Sequence, residues 1–561
     1  MGVDAVHAQL KQWAEEFSGL CSLQQIGTST RGVPLYVLII SRDIQNHNSY
    51  PGVWFDGCTH AGEWAGYMTC MYTAEQILGQ PETHLPEGVT YYIDPFISPD
   101  GVKHIEEESL YVRSSPVDSH DSDLPLQGYH YKKLSDIPGQ LQMRWASPAG
   151  SWKKSKENPN VMVPRRVFDV EETDGPFYFV TTECEVVGIP EEEISHNQPP
   201  FVGSHLMGNP DLNRNWPTNW SSSEGGGTGS GGYPGSYPEV ASVLKFLEAH
   251  HNIVLLNTHH THGGVHILSS PEEGRSGISV EDRGYNDFLG EIAERTSKYP
   301  TTYISEDTKS AGYVGDVSRG VFDDYAYFGL GILGTTTELW NPMEYFAPEE
   351  LDKNWLFNFP KITREENLLK FQKYIMEHAP EHFHEWKEHT HPQLGKVEIG
   401  GFNFLKTFQN PPESLLEKEA KRVVDFNLEL HKIVPKLFVA KVNKKKLSDD
   451  TYEILVSITN TGALPTYGTE KAKGKPWYKG ITASAVTTGD VQVLSEASLY
   501  VEKDIPGSCL PRNQVLGSYF SSVFYPDRKD IPLRWIVKGK GKVKIQIESL
   551  KAGKVTAEID L

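Results

Sequence analysis

An imidazole and a carboxylate lie three residues apart in this chain, as His60 and Glu63. The apolar run Gly52–Phe55 predicts a buried strand before them and Trp64–Leu78 predicts a helix after them, so both side chains belong to the connecting turn and face the same way. Zinc binds imidazole nitrogen and carboxylate oxygen, and a catalytic zinc takes three protein ligands with a fourth position left open. The pair therefore predicts two zinc ligands, although a turn histidine beside a capping carboxylate is the alternative.

Histidines also follow a second predicted strand, Ile253–Asn257. His259, His260 and His262 come directly after its apolar residues. Because open α/β sheets place their reactive groups beyond the carboxyl ends of the strands, all three are candidates for the third ligand.

Two more segments carry polar groups with a chemical use. Glu338 lies inside the apolar segment Gly331–Trp340, where a charge is costly unless it has a partner or a task. Asn213 and Arg214 lie in the polar cluster Asp211–Pro217. A planar guanidinium grips a carboxylate through two hydrogen bonds and a neighbouring amide donates a third, so this pair predicts a carboxylate-binding site.

In these segments the sequence resembles the zinc carboxypeptidases of the carboxypeptidase A type, and more closely the large bacterial members with a C-terminal β domain. The matching segments occur in the family's order and are His60–Glu63, Ser98–Gly101, Asp211–Arg214, Tyr233–Glu239, His260–Gly264, Gly320–Tyr325 and Thr337–Trp340. Any one of them is a weak signal, but all of them in order are specific.

The resemblance implies one Zn2+ per chain, held by His60, Glu63 and His260. The family pattern continues the third ligand with Thr or Ser and then reaches an apolar run, which fits His260 followed by Thr261. His259 is the alternative third ligand. Of the remaining histidines, one is expected to pack on the opposite face of the strand and the other to line the cleft or support a ligand.

Catalytic roles for Glu338 and Arg113 are also implied by the resemblance. Glu338 aligns with the general base, which takes a proton from water activated by zinc and delivers it to the leaving amine. A buried setting should raise its pKa toward the working range. Arg113 is the best local match to the arginine that stabilises the tetrahedral oxyanion, and a solvated surface arginine is the alternative.

Four positions match substrate-binding residues of the family. Asn213 and Arg214 align with the pair that holds the terminal carboxylate, and Tyr313 is nearest to the mobile tyrosine that closes over the substrate. Phe322 is expected at the floor of the side-chain pocket, which would favour apolar or aromatic C-terminal residues. A shift of one position would place Asp323 there and favour basic ones.

Together these matches predict a zinc metallocarboxypeptidase that hydrolyses the C-terminal peptide bond and releases one amino acid. The alternative is a zinc amidohydrolase acting on N-acyl amino acids or cell-wall peptides, because either substrate presents a free carboxylate. A non-catalytic binding protein would require a missing ligand or base, and His60, Glu63, His260 and Glu338 are all present.

The elements that must position these residues alternate between strand and helix. The predicted strands are Leu35–Ile40, Val53–Phe55, Thr90–Ile97, Ile253–Asn257 and Ile332–Thr337, and the predicted helices include Trp64–Leu78 and Tyr237–His250. This alternation predicts an α/β domain with a mixed, largely parallel, doubly covered sheet. Ser236 and Glu239 predict a capping box at the start of the second helix.

Two other regions differ in pattern from this domain. Residues 106–202 are charged and poorly periodic, and in the family's large members this stretch is an insertion; beside an active site it would shape the entrance. After a helix at Glu417–Val434 the chain shows short alternating strands, at Lys436–Val442, Tyr452–Thr459, Ile481–Thr487, Leu533–Val537 and Val543–Ser549. We therefore expect a catalytic domain over 1–434 and an antiparallel β-sandwich over 435–561.

Charge and cysteine content restrict the partners and the compartment. The 561 residues carry 53 basic and 74 acidic side chains, a net charge of -21, which argues against nucleic acid or anionic membranes as partners. Five scattered cysteines do not form a disulfide framework, and neither a signal peptide nor a membrane-spanning run is recognised, so a cytoplasmic location is expected. A second histidine-rich segment, His378–His391, reads as a solvated helix and loop rather than a metal site.

Overall fold

The computed structural model describes residues 2–116, 130–166, 176–187, 210–222, 229–269, 277–303, 318–351, 363–501, 503–508 and 530–561. Its strands are β1 Cys21–Thr28, β2 Pro34–Ser41, β3 Gly52–Gly57, β4 Thr90–Asp94, β5 His130–Lys132, β6 Gln142–Ala146, β7 Trp152–Lys154, β8 Met162–Pro164, β9 Tyr178–Thr182, β10 Glu185–Val187, β11 Ile253–Thr261, β12 Val265–Leu268, β13 Thr301–Thr302, β14 Leu333–Leu339, β15 Phe383–His391, β16 Gly395–Phe402, β17 Leu437–Lys446, β18 Thr451–Asn460, β19 Ile481–Val493, β20 Ser498–Val501, β21 Ile531–Ser549 and β22 Gly553–Asp560. Its longer helices are α1 Val3–Glu16, α2 Trp64–Gly79, α3 Pro99–Glu108, α4 Pro238–Ala249, α5 Val280–Ser297, α6 Glu365–His378 and α7 Glu413–Glu429.

The central sheet has eight strands in the order β1-β2-β4-β3-β11-β14-β12-β13. Strand β3 runs parallel to β4 and β11, β11 runs parallel to β14, and β12 runs parallel to β13, whereas the other neighbours are antiparallel. Residues of α1, α2, α5 and α7 share one apolar core with the sheet, and residues of α4 share a second. The predicted mixed, largely parallel sheet covered on both faces is confirmed.

Strands β11 and β14 extend further at their carboxyl ends than predicted, and the added residues include the polar ones of interest. Strand β11 continues through Thr261, so His259 and His260 lie within it, and β14 continues through Leu339, so Glu338 lies within it. Hydrogen bonding to one neighbouring strand on each side, β3 and β14, keeps the polar end of β11 in the sheet.

The predicted capping box of α4 is wrong. The helix begins at Pro238 with Tyr237 as its N-cap, and no side chain caps it. Glu239 instead accepts hydrogen bonds from the backbone N–H and hydroxyl of Thr30, at 2.9 and 3.2 Å. Ser236 accepts from the Asn215 amide at 3.0 Å. Ser236 and Glu239 therefore bond residues distant in sequence instead of capping the helix together.

A second sheet is formed by the insertion, for which no strands were predicted. It is antiparallel, with the order β15-β16-β6-β9-β7-β8, so four of its strands come from the insertion and two from the segment after α6. Arg144 on β6 is only 3% exposed and forms a bidentate ion pair with Glu398 on β16, with N–O distances of 2.9 and 3.2 Å. The prediction of a solvated helix and loop for His378–His391 is therefore wrong over Phe383–His391, which forms β15.

The C-terminal strands form a third sheet, in the order β17-β18-β21-β19-β20 with β22 also paired to β21. The two strands predicted at Leu533–Val537 and Val543–Ser549 are parts of the single strand β21. Strand β18 pairs with the first part of one edge of β21, and β22 pairs with the second part of the same edge. The structure confirms an antiparallel β domain with its own apolar core.

This β domain contacts the amino ends of the central strands, which is the end opposite His260 and Glu338. Asp282 accepts hydrogen bonds from the backbone N–H groups of Glu470 and Lys471, at 2.9 and 3.3 Å. A Cβ at Gly331, just before β14, would lie 2.4 Å from the Ala472 backbone nitrogen. Such close contact indicates that the β domain supports the base of the catalytic domain rather than contributing to the site.

Lys551 lies buried in this contact. It is 1% exposed and donates a hydrogen bond to the Ile253 carbonyl oxygen at 2.5 Å. Burial lowers the pKa of its ammonium group to about 7.

Replacing Lys551 with methionine is expected to remove a pH dependence of stability. Between pH 7 and the ordinary lysine pKa, the unfolded chain binds more protons than the folded protein, so stability rises with pH by about 3 to 5 kcal/mol. Free energies of unfolding, measured in guanidinium from pH 7 to 10, should rise less in Lys551→Met than in the wild type. Parallel pH profiles would contradict a lysine that is neutral in the fold.

Within the described residues, no helix combines the length and apolar character needed to cross a membrane.

Candidate metal centre and substrate site

The candidate site lies where the carboxyl ends of β3, β11 and β14 meet. These three strands are neighbours in the sheet, and β11 is parallel to both of the others. His60 lies on the turn that follows β3, while His260 and Glu338 are register partners on β11 and β14. Since parallel strands end at one edge of a sheet, distant segments place their polar side chains together.

His60, Glu63 and His260 form a compact buried group. Nδ1 of His60 lies 2.9 Å from Oε1 of Glu63, and Nδ1 of His260 lies 2.9 Å from Oε2 of the same carboxylate. The two Nδ1 atoms are 3.1 Å apart. The three residues are 4%, 2% and 1% exposed, respectively. Within the described part of the chain, they are the one set of His, Cys, Asp and Glu side chains grouped closely enough to hold a metal ion.

This donor set fits zinc. Two imidazole nitrogens and a carboxylate oxygen at bonds of about 2.0 to 2.2 Å from a tetrahedral zinc would lie roughly 3.3 Å apart, close to the separations between these atoms. Although burial opposes it, His60 and His260 lower the pKa of Glu63, and Glu63 raises the pKa of His260 to about 9. A divalent cation would take the place of the proton shared inside this group.

The structure shows which of His259, His260 and His262 belongs to the ligand group. His259 points to the other side of β11, where its Nδ1 lies 2.7 Å from the Asp56 carbonyl oxygen and its Nε2 lies 3.0 Å from the Asn427 amide nitrogen. Burial lowers the pKa of His259 to about 4, so it is a neutral core residue. His262 packs edge-on against Phe408, with ring centroids 4.6 Å apart. The three-ligand group therefore contains His260 and not His259 or His262.

Asp211 connects the metal group to Arg113. Its Oδ1 lies 3.2 Å from Nε2 of His60, and its Oδ2 accepts a hydrogen bond from Nε of Arg113 at 3.3 Å. Although burial opposes it, Arg113 and His60 lower the pKa of Asp211 well below its ordinary value. A carboxylate on the outer nitrogen of a metal-ligating histidine fixes the tautomer and orientation of the ring. No pattern in the sequence predicts this role for Asp211, although it opens the motif that holds Arg214.

Arg113 lies beside the group, as the resemblance implied. Its Nη1 is 3.5 Å from Oε1 of Glu63, and 28% of its side chain is exposed. A guanidinium that touches two buried carboxylates while keeping an accessible edge is not an ordinary surface arginine. It can reach an anionic ligand without leaving its partners.

Asn213 and Arg214 lie on a single helical turn that Asp211 caps, by accepting from the Asn213 N–H at 2.9 Å. The Asn213 side-chain oxygen accepts from the Phe322 N–H at 2.9 Å, which leaves its amide nitrogen to donate. Arg214 uses Nη1 on the Asn213 carbonyl oxygen at 2.8 Å. Both side chains are partly accessible, so the pair offers donors suited to a carboxylate.

Glu338 lies partly accessible beside His260. Burial raises its pKa to about 7, while His260 lowers it and Glu63 raises it further. A carboxyl group with a pKa near neutrality is suited to both accepting and donating a proton.

The placement expected for Phe322 is wrong. Its ring is 1% exposed and packs on Trp216, with ring centroids 4.3 Å apart, inside an apolar core. Asp323 is the neighbour that faces the site: its carboxyl group bonds the Thr336 side chain and interacts electrostatically with His260. Thr336 and Glu338 are two apart on β14 and share a face. Tyr313 lies outside the described residues.

The second histidine-rich segment holds no metal group among its described residues. His391 is buried and lies 2.9 Å from the Cys184 carbonyl oxygen through Nε2, while its Nδ1 accepts from two backbone N–H groups. Its ring is therefore occupied in holding the turn after β15.

Two parts of the sequence match known family models. Residues 6–361 match the family model described as Zinc carboxypeptidase, and residues 436–560 match a domain of unknown function. Mouse Carboxypeptidase M is 25% identical over 127 residues, which cover 22% of this chain and 29% of that protein. This chain thus aligns with less than a third of that curated relative.

Solved structures were also found to be similar. Carboxypeptidase A from Helicoverpa armigera aligns over 68% of this chain and 74% of its own, with 16% identity and a TM-score of 0.39. A metallo-carboxypeptidase from Burkholderia cenocepacia aligns over 66% and 69%, with 12% identity and a TM-score of 0.32. The family match alone covers more than half of the chain. The chain belongs to the zinc carboxypeptidase family.

Proposed function

We propose that this protein is a zinc-dependent carboxypeptidase that releases single amino acids from the C-terminus of peptides. The observation that carries the proposal is the convergence of His60, Glu63 and His260 on one buried point, with Glu338 in register beside His260. The family match favours peptides over the alternative substrates, N-acyl amino acids.

His60, Glu63 and His260 would hold the zinc ion. When bound, zinc supplies a Lewis acid that polarises the scissile carbonyl and makes water more acidic. Asp211 keeps the His60 ring oriented, because it occupies the ring's second nitrogen.

The other residues act on the substrate and on protons. Glu338 accepts a proton from the attacking water and delivers it to the leaving amine, a transfer that a pKa near neutrality favours in both directions. Arg113 stabilises negative charge that develops on the carbonyl oxygen, because its accessible edge lies beside the ligand group. Asn213 and Arg214 bind the terminal carboxylate and so restrict cleavage to the last peptide bond.

A paired-substrate experiment tests this function. Wild-type enzyme should cleave a peptide with a free C-terminus and leave the same peptide, amidated at its C-terminus, almost intact. Arg214→Lys should lower kcat/KM on the free peptide by about 10- to 100-fold, because lysine cannot form the bidentate contact. Arg534→Lys, on the exposed surface of the β domain, is the matched control. Equal cleavage of both peptides by the wild type would refute carboxylate-directed cleavage.

We further propose that Asp323, rather than Phe322, sets the preference for the released residue. A carboxyl group close to Glu338 and bonded to Thr336 would favour a lysine or arginine side chain and disfavour an aromatic one. With one upstream sequence and C-terminal Lys, Arg, Phe or Leu, kcat/KM should be highest for the basic residues. Asp323→Asn should reduce that preference by about 10-fold or more. A wild-type preference for Phe would overturn this assignment and restore the apolar pocket.

A further inference from the structure

A cavity of about 640 Å³ lies between the insertion sheet and the catalytic domain. Its apolar walls come from both parts: Met162, Val180 and Phe402 from the insertion sheet, and Leu368 and Phe371 from α6. This volume is in the range of sites that bind small molecules or peptide side chains.

The cavity adjoins the candidate metal group. Tyr111 and Leu405 line it, and both press on Gly62, the residue before Glu63. A Cβ at Gly62 would lie 2.6 Å from the Tyr111 ring and 2.8 Å from a Leu405 methyl carbon. Arg113 also lines the cavity while its guanidinium contacts Glu63. One wall thus separates the cavity from the ligand-bearing turn.

The residues that line the cavity indicate where it lies relative to the residues that would bind the substrate carboxylate. Arg113 is part of the lining, whereas Asn213, Arg214 and Asp323 are not. A peptide whose carboxylate lies at Arg214 and whose last peptide bond lies at the three ligands must leave on the other side. We take that side to be the one lined by the cavity, because the cavity lining includes Arg113 and neither Asn213 nor Arg214.

Two side-chain amides in the lining are already hydrogen-bonded. Gln140 accepts from the Tyr111 N–H at 3.1 Å and donates to the Glu183 carbonyl at 3.1 Å. Gln409 donates to the Thr261 carbonyl at 2.8 Å. Among the described lining residues Arg113 alone is charged, and it is paired with Glu63 and Asp211. A charged side chain entering here would lose water, and Arg113, which already has two carboxylate partners, is the one described lining residue with which an acidic side chain could pair.

We propose that this cavity binds the uncharged, apolar residues immediately N-terminal to the scissile bond. The proposal rests on the carboxypeptidase function and adds a substrate class to it: peptides with an apolar segment before the released residue. The insertion makes this selection because it supplies one wall of the cavity.

Substrate series with one fixed C-terminal residue test the proposal. In N-acetylated tetrapeptides, Leu or Phe at the two positions before that residue should give a kcat/KM about 10-fold or more above that for Asp, Glu or Lys at those positions, as expected for burying apolar side chains. Equal values across the series would overturn the proposal.

A charge placed in the wall should reverse part of this preference. Gln372 is a half-buried lining residue on α6, and Gln372→Glu changes charge with almost no change in shape. It should lower kcat/KM for the Leu and Phe substrates and raise it for the Lys substrate. Gln24→Glu, on the exposed face of β1, should change neither. Identical effects of the two substitutions, or no effect of either, would count against the cavity as the binding site.

Calorimetric binding to the Glu338→Gln protein separates this proposal from the function it rests on. Tetrapeptides with apolar upstream residues should bind that protein more tightly than those with acidic residues, whether or not the wild type hydrolyses any of them. Failure of all hydrolysis with this order of binding retained would reject the carboxypeptidase and keep the cavity. Loss of the order of binding would reject the cavity.

Discussion

Replacing Glu338 with glutamine is expected to lower kcat by about 10²- to 10⁴-fold. The amide keeps the shape of the side chain but cannot take a proton from water or return one to the leaving amine. Glu338 is a register partner of His260 and is not one of the three grouped ligands, so zinc content should stay at one ion per chain. Activity and metal content measured on the same preparation check both halves of this expectation.

The matched control is Glu75→Gln, which makes the same chemical change on the exposed side of α2. It should retain wild-type turnover. If Glu338→Gln kept more than a tenth of the activity, or lost its zinc, the assignment of Glu338 as the base would be wrong.

Substitution of the adjacent histidines should produce opposite defects. His260→Ala removes a member of the ligand group and should lower zinc affinity by more than the roughly 10- to 100-fold that loss of an outer hydrogen bond costs. His259→Ala should keep zinc near one per chain but lower stability by about 2 to 4 kcal/mol. The reason is that it leaves a cavity and unpaired groups at Asp56 and Asn427.

Zinc titration and chemical unfolding of both variants give the comparison. Loss of zinc from His259→Ala with retention in His260→Ala would exchange the two roles. Equal loss in both would show that strand β11, rather than either side chain, controls the site.

The ligand group was predictable because its signals are local. A histidine and a glutamate three apart on a turn, and histidines at the end of an apolar run, are visible in the sequence, and zinc chemistry selects them. Choosing His260 over His259 required the resemblance, since strand alternation shows only that adjacent residues face opposite sides. The structure supplies the reason: His259 has its own partners in the core.

The groups that support the site were not predictable in the same way. Asp211 holds His60 across 151 positions of chain, and Arg144 pairs with Glu398 across 254. No local pattern encodes such contacts. Several strands of the insertion are only three residues long. Such short segments show too little alternation of apolar and polar residues to be predicted as strands from the sequence.

The residue at the floor of the side-chain pocket was also difficult to predict from the sequence. Phe322 and Asp323 are adjacent, and the family pattern alone favoured the apolar residue as the pocket floor. In the structure the ring of Phe322 packs on Trp216 in the core, and the Asp323 carboxyl group bonds the Thr336 side chain.

Anomalous scattering at the zinc absorption edge, from crystals of the wild-type protein, tests the central claim most directly. We expect one peak, within bonding distance of Nδ1 of His60, the Glu63 carboxylate and Nδ1 of His260, that a chelator removes and added zinc restores. A peak located elsewhere, or none between these three side chains in zinc-saturated crystals, would contradict the proposed metal centre.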